Sequence, residues 1–247
     1  MLNGSDVIAP NIRGTGDSTG SPNEDGTYLD YEGIYQFVSK KLVYLDKNIT
    51  GHGYCLSSGP MTNIASQHPI NLDIDRGFNK MGDVFGDTAL EMALCVAENH
   101  EWISKVLKAT VPPIISSITD KLIISYDNGS KFPAVKGSVF LLDASKDDVI
   151  PKQSTNALRV HLDKANLISS KITFNGKHVQ PWDGKTSSKY QEFLAQRGTL
   201  RNFGNTPTDT LKERMAKMSN LHKIEYVSTL ASKYNAKTSE ASSYLSA

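Results

Sequence analysis

Cysteine is scarce in this chain: Cys55 and Cys95 are the two among 247 residues. Two thiols cannot build the disulfide framework of a small secreted domain, so a reducing compartment is expected. Excess charge is missing as well. The 27 Lys and Arg stand against 26 Asp and Glu, which removes any global electrostatic pull toward nucleic acid or an anionic membrane. No apolar run approaches the roughly 18 residues of an integral membrane segment. The opening MLNGSDVIAPNIRG has neither the basic start nor the apolar stretch of a signal peptide. The expectation is a soluble chain, cytoplasmic or exported by a route without a cleaved signal peptide. Off the secretory route, the sequon at Asn48-Ile49-Thr50 carries no meaning. Internal repeats and heptads are also lacking.

Cofactor and metal motifs fail on spacing. GTGDSTG follows an apolar run, but Thr19 stands where a dinucleotide loop needs its third glycine, and Pro22 stops a helix from opening there. No lysine follows as a phosphate-binding P-loop requires. HEWIS, from His100, has Ser104 where a zinc-protease helix needs its second histidine. No cofactor and no metal are expected.

What the sequence does hold is an alternation of short apolar runs and amphipathic stretches. Strands are expected at DVIAPN (6–11), at the run entering residue 53, at INLDID (70–75), at KGSVFLLDAS (136–145) and at SSKITFNG (169–176). Helices are expected at 29–45, from Pro60 onward, at 154–165 and at 187–197 by their 3.6-residue period. A helical insertion at about 79–134 is interrupted at Pro112-Pro113. The expected fold class is α/β, a mostly parallel sheet with helices on both faces. One domain over 1–204, with that insertion and a polar helical extension over 205–247, is the expected organisation.

ITGHGYCLSSGPMTNIAS (49–66) reads as strand, tight turn and helix, the layout of a nucleophile elbow, G-x-Nu-x-G. Gly53 lies two before the centre and lets the chain turn sharply. Tyr54 precedes the centre, Cys55 occupies it, and Ser57 replaces the second glycine, giving a tighter turn. At a helix N-terminus the macrodipole favours thiolate and would lower the Cys55 pKa; a small buried core cysteine is the alternative. LLDASKDDVIP runs from an apolar strand into Asp147 and Asp148 on a loop pinned by Pro151, and KITFNGKHVQPW offers His178 beyond a strand end. The order nucleophile, acid, base places each group past the C-terminal end of a strand, and in a parallel sheet those ends share one edge.

On these residues, 6–197 resembles the α/β-hydrolase family. DVIAPNIRGTGDSTG is similar to the N-Y-R-G-x-G-x-S-x-G stretch of lipase- and esterase-like members. The elbow is similar to the G-H-S-L-G-G-G type, and GYCL to dienelactone hydrolases with a cysteine nucleophile. INLDIDRGFNKMGDV resembles hydrolase-like proteins among effectors of intracellular bacteria. The resemblance implies Cys55 as nucleophile, Asp147 as acid through the D-x-x-V/I-P pattern, His178 as base and the Leu56 N–H as oxyanion donor. It implies acyl transfer to water from an ester, thioester or lactone, with a small-molecule or lipid-like substrate.

The family's strand carrying the second oxyanion donor would precede residue 6. Only five residues do, so a chain lacking the N-terminal strands is expected. A catalytically silent hydrolase fold acting as a binding or effector module is the competing expectation; a non-hydrolase α/β binding domain is a third. Phe85, Leu90, Met92, Trp102 and Ile103 of the insertion could line an acyl pocket beneath a lid, core packing being their commoner use.

Overall fold

Four of the apolar runs become strands in the computed structural model, which describes residues 6–96, 101–122 and 125–197. They are β1 (Thr50–Tyr54), β2 (Asn71–Asp75), β3 (Val139–Ala144) and β4 (Ser169–Phe174). All pairings are parallel and the order is β1-β2-β3-β4. Because parallel neighbours need a crossover, a helical segment separates each strand from the next. α2 (Ser58–Gln67) joins β1 to β2, α3 (Met81–Val96) and α4 (Glu101–Leu122) lie between β2 and β3, and α5 (Lys152–Lys164) joins β3 to β4. α6 (Gly184–Gln196) follows β4. The fold class is α/β, as the pattern of runs predicts.

The two inner strands are buried along nearly their whole length because both faces are covered: β3 (VFLLDA) is largely apolar, whereas β2 (NLDID) alternates polar and apolar residues. Leu72, Ile74, Leu141 and Leu142 are fully buried, each contributing about 1.5–3 kcal/mol of transfer free energy. On one face, Gly51 and Gly53 let α2 lie close to β1: a Cβ at Gly51 would meet Met61 Sδ at 2.9 Å. On the other, Phe140, Leu142, Ile172, Phe174 and Phe193 form a cluster against which Trp182 and Tyr190 pack.

The chain forms two compact units, one over 46–193 and one built from the segments on either side. In the second unit the structure corrects two expectations. Residues 6–11 form no strand: Val7 and Ile8 remain exposed, and Pro10 has no N–H to give a ladder. The expected helix at 29–45 instead starts earlier, as α1 (Glu24–Gln36), and closes in a π-turn over Phe37–Lys41. Asn23 sets that start by accepting from the Gly26 N–H at 2.7 Å, with Glu24 and Asp25 in the favourable first turn.

The double proline does not interrupt its helix either. Pro112 and Pro113 lie inside α4. The carbonyls they leave without donors belong to Lys108 and Ala109, which are exposed and so reach water. α3 and α4 pack chiefly on each other, with Gly86 so near α4 that a Cβ would meet the Pro112 carbonyl at 2.8 Å. Phe85 and Met92 are 44% and 69% exposed, so neither is a core residue. Leu90 and Ile103 are half-buried; the side chain of Trp102 and all of 205–247 lie outside the described residues. No helix among the described residues is long and apolar enough to cross a membrane.

Candidate active site

The C-terminal ends of the four strands carry the chemistry-bearing residues. Tyr54 and Asp75 are register partners closing β1 and β2, and the residues after them, Cys55 and Arg76, both have left-handed backbone, φ 51° and 50°. Such angles cost a non-glycine residue roughly 1–2 kcal/mol and persist only where the surroundings enforce them. At Cys55 the enforcement is the elbow. The chain leaves β1, makes a single 3-10 turn over Cys55–Ser57, and enters α2.

Gly53 is required by close approach: a Cβ there would meet Ser58 Cα at 2.6 Å and Ser58 N at 2.9 Å. Ser57, in place of the second glycine, serves the turn through its hydroxyl. Its Oγ accepts from the Tyr54 N–H and donates to the Tyr54 carbonyl, both at 2.8 Å, and so clips the elbow shut. The second tight contact falls instead at Gly59, where a Cβ would meet the Tyr126 ring at 2.5 Å.

Asp147 and His178 meet. His178 Nδ1 lies 2.9 Å from both Asp147 oxygens, and the two side chains are only 5% and 8% exposed. A carboxylate accepts and does not donate, so the proton sits on Nδ1 and Nε2 is the basic nitrogen. Asp147 Oδ1 is fixed from behind by the N–H groups of Val149 (2.9 Å) and Ile150 (2.8 Å). That local turn orients Asp147 rather than Asp148 toward the ring; Asp148 receives the His178 backbone N–H at 3.4 Å and pairs with Lys177 at 3.6 Å.

Cys55 approaches this couple through its neighbour. The Tyr54 ring lies 5.2 Å from the imidazole, centroid to centroid, and the Tyr54 hydroxyl donates to the His178 carbonyl at 2.9 Å. Among the described residues, no hydrogen bond joins the Cys55 sulfur to the imidazole. Burial pushes the Cys55 thiol up, helped by the charge of Asp147; the Leu56 N–H, which bonds it, and Arg76 pull the other way. The expectation of a lowered thiol is therefore corrected: the direction is up, and burial is its largest cause.

Arg76 is the residue that sequence reasoning passed over. Its guanidinium is buried, pairs with Asp75, and donates to the carbonyls of His178 and Gln180. The available signal was a charged pair, Asp-Arg, at the end of the short strand NLDID. No group of three or more His, Cys, Asp or Glu among the described residues could hold a metal ion.

Solved structures share this fold. The esterase Pf2001 of Pyrococcus furiosus superposes with a TM-score of 0.54 at 18% identity, over 75% of this chain and 68% of that one. An alpha-beta hydrolase from Vibrio vulnificus gives 0.54 at 19%, over 76% of this chain and 61% of that protein's length. The fold is α/β-hydrolase-like. No protein-family model and no curated protein matches the chain by sequence, so the likeness is one of fold.

Proposed function

We propose that this hydrolase-fold chain transfers an acyl group from a small-molecule or lipid-like ester, thioester or lactone to water, with Cys55 as nucleophile, His178 as base and Asp147 as the orienting acid. The observation that carries the reading is the Asp147–His178 couple at the same sheet edge as the left-handed Cys55.

Because burial keeps Cys55 a neutral thiol, the reaction starts from S–H and not from a standing ion pair. His178 Nε2 takes the thiol proton as sulfur attacks the carbonyl carbon. The tetrahedral oxyanion receives the Leu56 N–H. Its collapse breaks the bond to the leaving group, which departs with the proton from Nε2, and the acyl group stays on sulfur. Water then gives a proton to Nε2 and attacks the thioester; the carboxylic acid leaves and the thiol recovers its proton. Asp147 holds the productive tautomer throughout. The α3–α4 hairpin, rooted after Arg76 on this edge, would supply the cover, with exposed Phe85 and Met92 facing acyl chains.

Hydrolysis of p-nitrophenyl acetate and of a short acyl thioester tests the reading. Cys55→Ala abolishes turnover and His178→Ala lowers it by about 10²–10⁴, while mass spectrometry finds the acyl group on the Cys55 peptide. Turnover that survives Cys55→Ala overturns the proposal.

A silent hydrolase fold serving as a binding or effector module is the second reading. It is favoured by the raised thiol pKa and by the lack of a sulfur–imidazole hydrogen bond. An unacylated Cys55 peptide after prolonged incubation with both substrates supports it.

A further inference from the structure

The loop that carries His178 is tied to one dipeptide, Asp75-Arg76, at 178, 180 and 182, with the Tyr54 hydroxyl sharing the His178 carbonyl. The carbonyls of His178 and Gln180 accept from Arg76 Nη1, the latter at 2.6 Å. The indole N–H of Trp182 donates to Asp75 Oδ2 at 2.9 Å. The dipeptide is locked in turn: Arg76 Nε and Nη2 donate to the two Asp75 oxygens at 2.7 and 2.8 Å. The guanidinium lies 4.7 Å from the Tyr54 ring centroid and 5.3 Å from that of Phe174.

As a stabilising device this is inefficient. Burying an ion pair costs several kcal/mol per ion in desolvation, and apolar replacements are often neutral or better. Arg76 also carries left-handed backbone, although the residue beside it, Gly77, would adopt that conformation freely. Two costs fall on one residue, and beyond the pair with Asp75 its side-chain hydrogen bonds go to the loop of His178. A planar fork is what the task requires, since it can grip a carboxylate on one side and two carbonyls on the other; a lysine cannot.

We propose that Asp75 and Arg76 form a positioning clamp that sets the His178 imidazole against Asp147, Arg76 holding the loop at 178 and 180 and Asp75 holding it at 182. The clamp rests on His178 being the base of the proposed reaction, but its geometric part can be read without any activity. In the full chain labelled with ¹⁵N-histidine, NMR reports whether Nδ1 of His178 keeps its proton toward Asp147. Arg76→Gln converts that fixed tautomer into an exchanging mixture, with Arg76→Lys in between. Hydrolysis of p-nitrophenyl acetate falls about 10- to 100-fold in Arg76→Gln, the loss typical of a misplaced catalytic group, and falls no further when Arg76→Gln is added to His178→Ala.

An unchanged Nδ1 signal in Arg76→Gln overturns the clamp, as does an equal loss on both backgrounds, which would mark a merely structural arginine. If His178→Ala alone leaves hydrolysis untouched, the base assignment fails, and the NMR comparison still decides the clamp. Should Arg76→Gln not fold, as read by near-ultraviolet circular dichroism, Trp182→Phe decides. It removes one hydrogen bond to Asp75, and a His178 tautomer indifferent to it overturns the proposal.

Discussion

Cys55 combines a left-handed backbone with a desolvated thiol, and the two have separate consequences. The thiol's pKa in the fold lies above its value in the unfolded chain, about 8.5. The neutral form is the one that the fold favours, so this contribution to stability is fully present below the unfolded pKa and is lost as pH rises through the folded one. Alkylation of Cys55 by iodoacetamide, followed by peptide mass spectrometry, is expected to reach its midpoint at a higher pH in the folded protein than in urea. A lower folded midpoint would point to a standing thiolate. Gly53 belongs to the same scale. Gly53→Ala drives a Cβ into the backbone of Ser58, where no flexible side chain can give way. A loss of about 1–3 kcal/mol is expected in denaturant unfolding, the usual range for overpacking.

Among the elements, α4 is the one built against its own propensity. A proline in a helix interior costs about 3 kcal/mol relative to alanine. Pro113 is exposed, so Pro113→Ala restores an N–H donor for Ala109 without disturbing a packed contact. It is expected to stabilise the hairpin by about 1–2 kcal/mol, part of the gain being offset by the freer unfolded chain. Slower amide exchange in α3 and α4 checks this. Pro112 is the wrong position for the same change, because its backbone lies against Gly86. At this scale the sequence was readable in the helices α2, α5 and α6 and in the strands after residue 49, where apolar period and turn residues agree. It misled at 6–11 and at the double proline. Both are short signals whose outcome depends on whether neighbouring backbone groups find a partner or water.

In the molecule as a whole, β2 and β3 bear the load of the hydrolase fold, since each has a strand on both sides and cover on both faces. Leu141, on β3, is fully buried, and Leu141→Ala is expected to cost about 2–5 kcal/mol and to lower the thermal midpoint measured by calorimetry. The loss acts on the proposed site at a distance, because Asp147 and His178 follow the ends of β3 and β4. Their mutual position is inherited from the ladder that pairs Leu141 with Lys171 and Ala144 with Phe174.

The sequence by itself determined the α/β alternation, the elbow around Cys55 and the presence of an acid and a histidine past two later strand ends. These follow from local causes: side-chain period, glycine placement and loop composition. Tertiary structure alone decided that Asp147 lies against the His178 imidazole, that the thiol is raised and not lowered, and that Asp75 and Arg76 bind the loop of His178. Each of those depends on desolvation or on hydrogen bonds between segments 31 to 107 residues apart, and no local pattern encodes such energies.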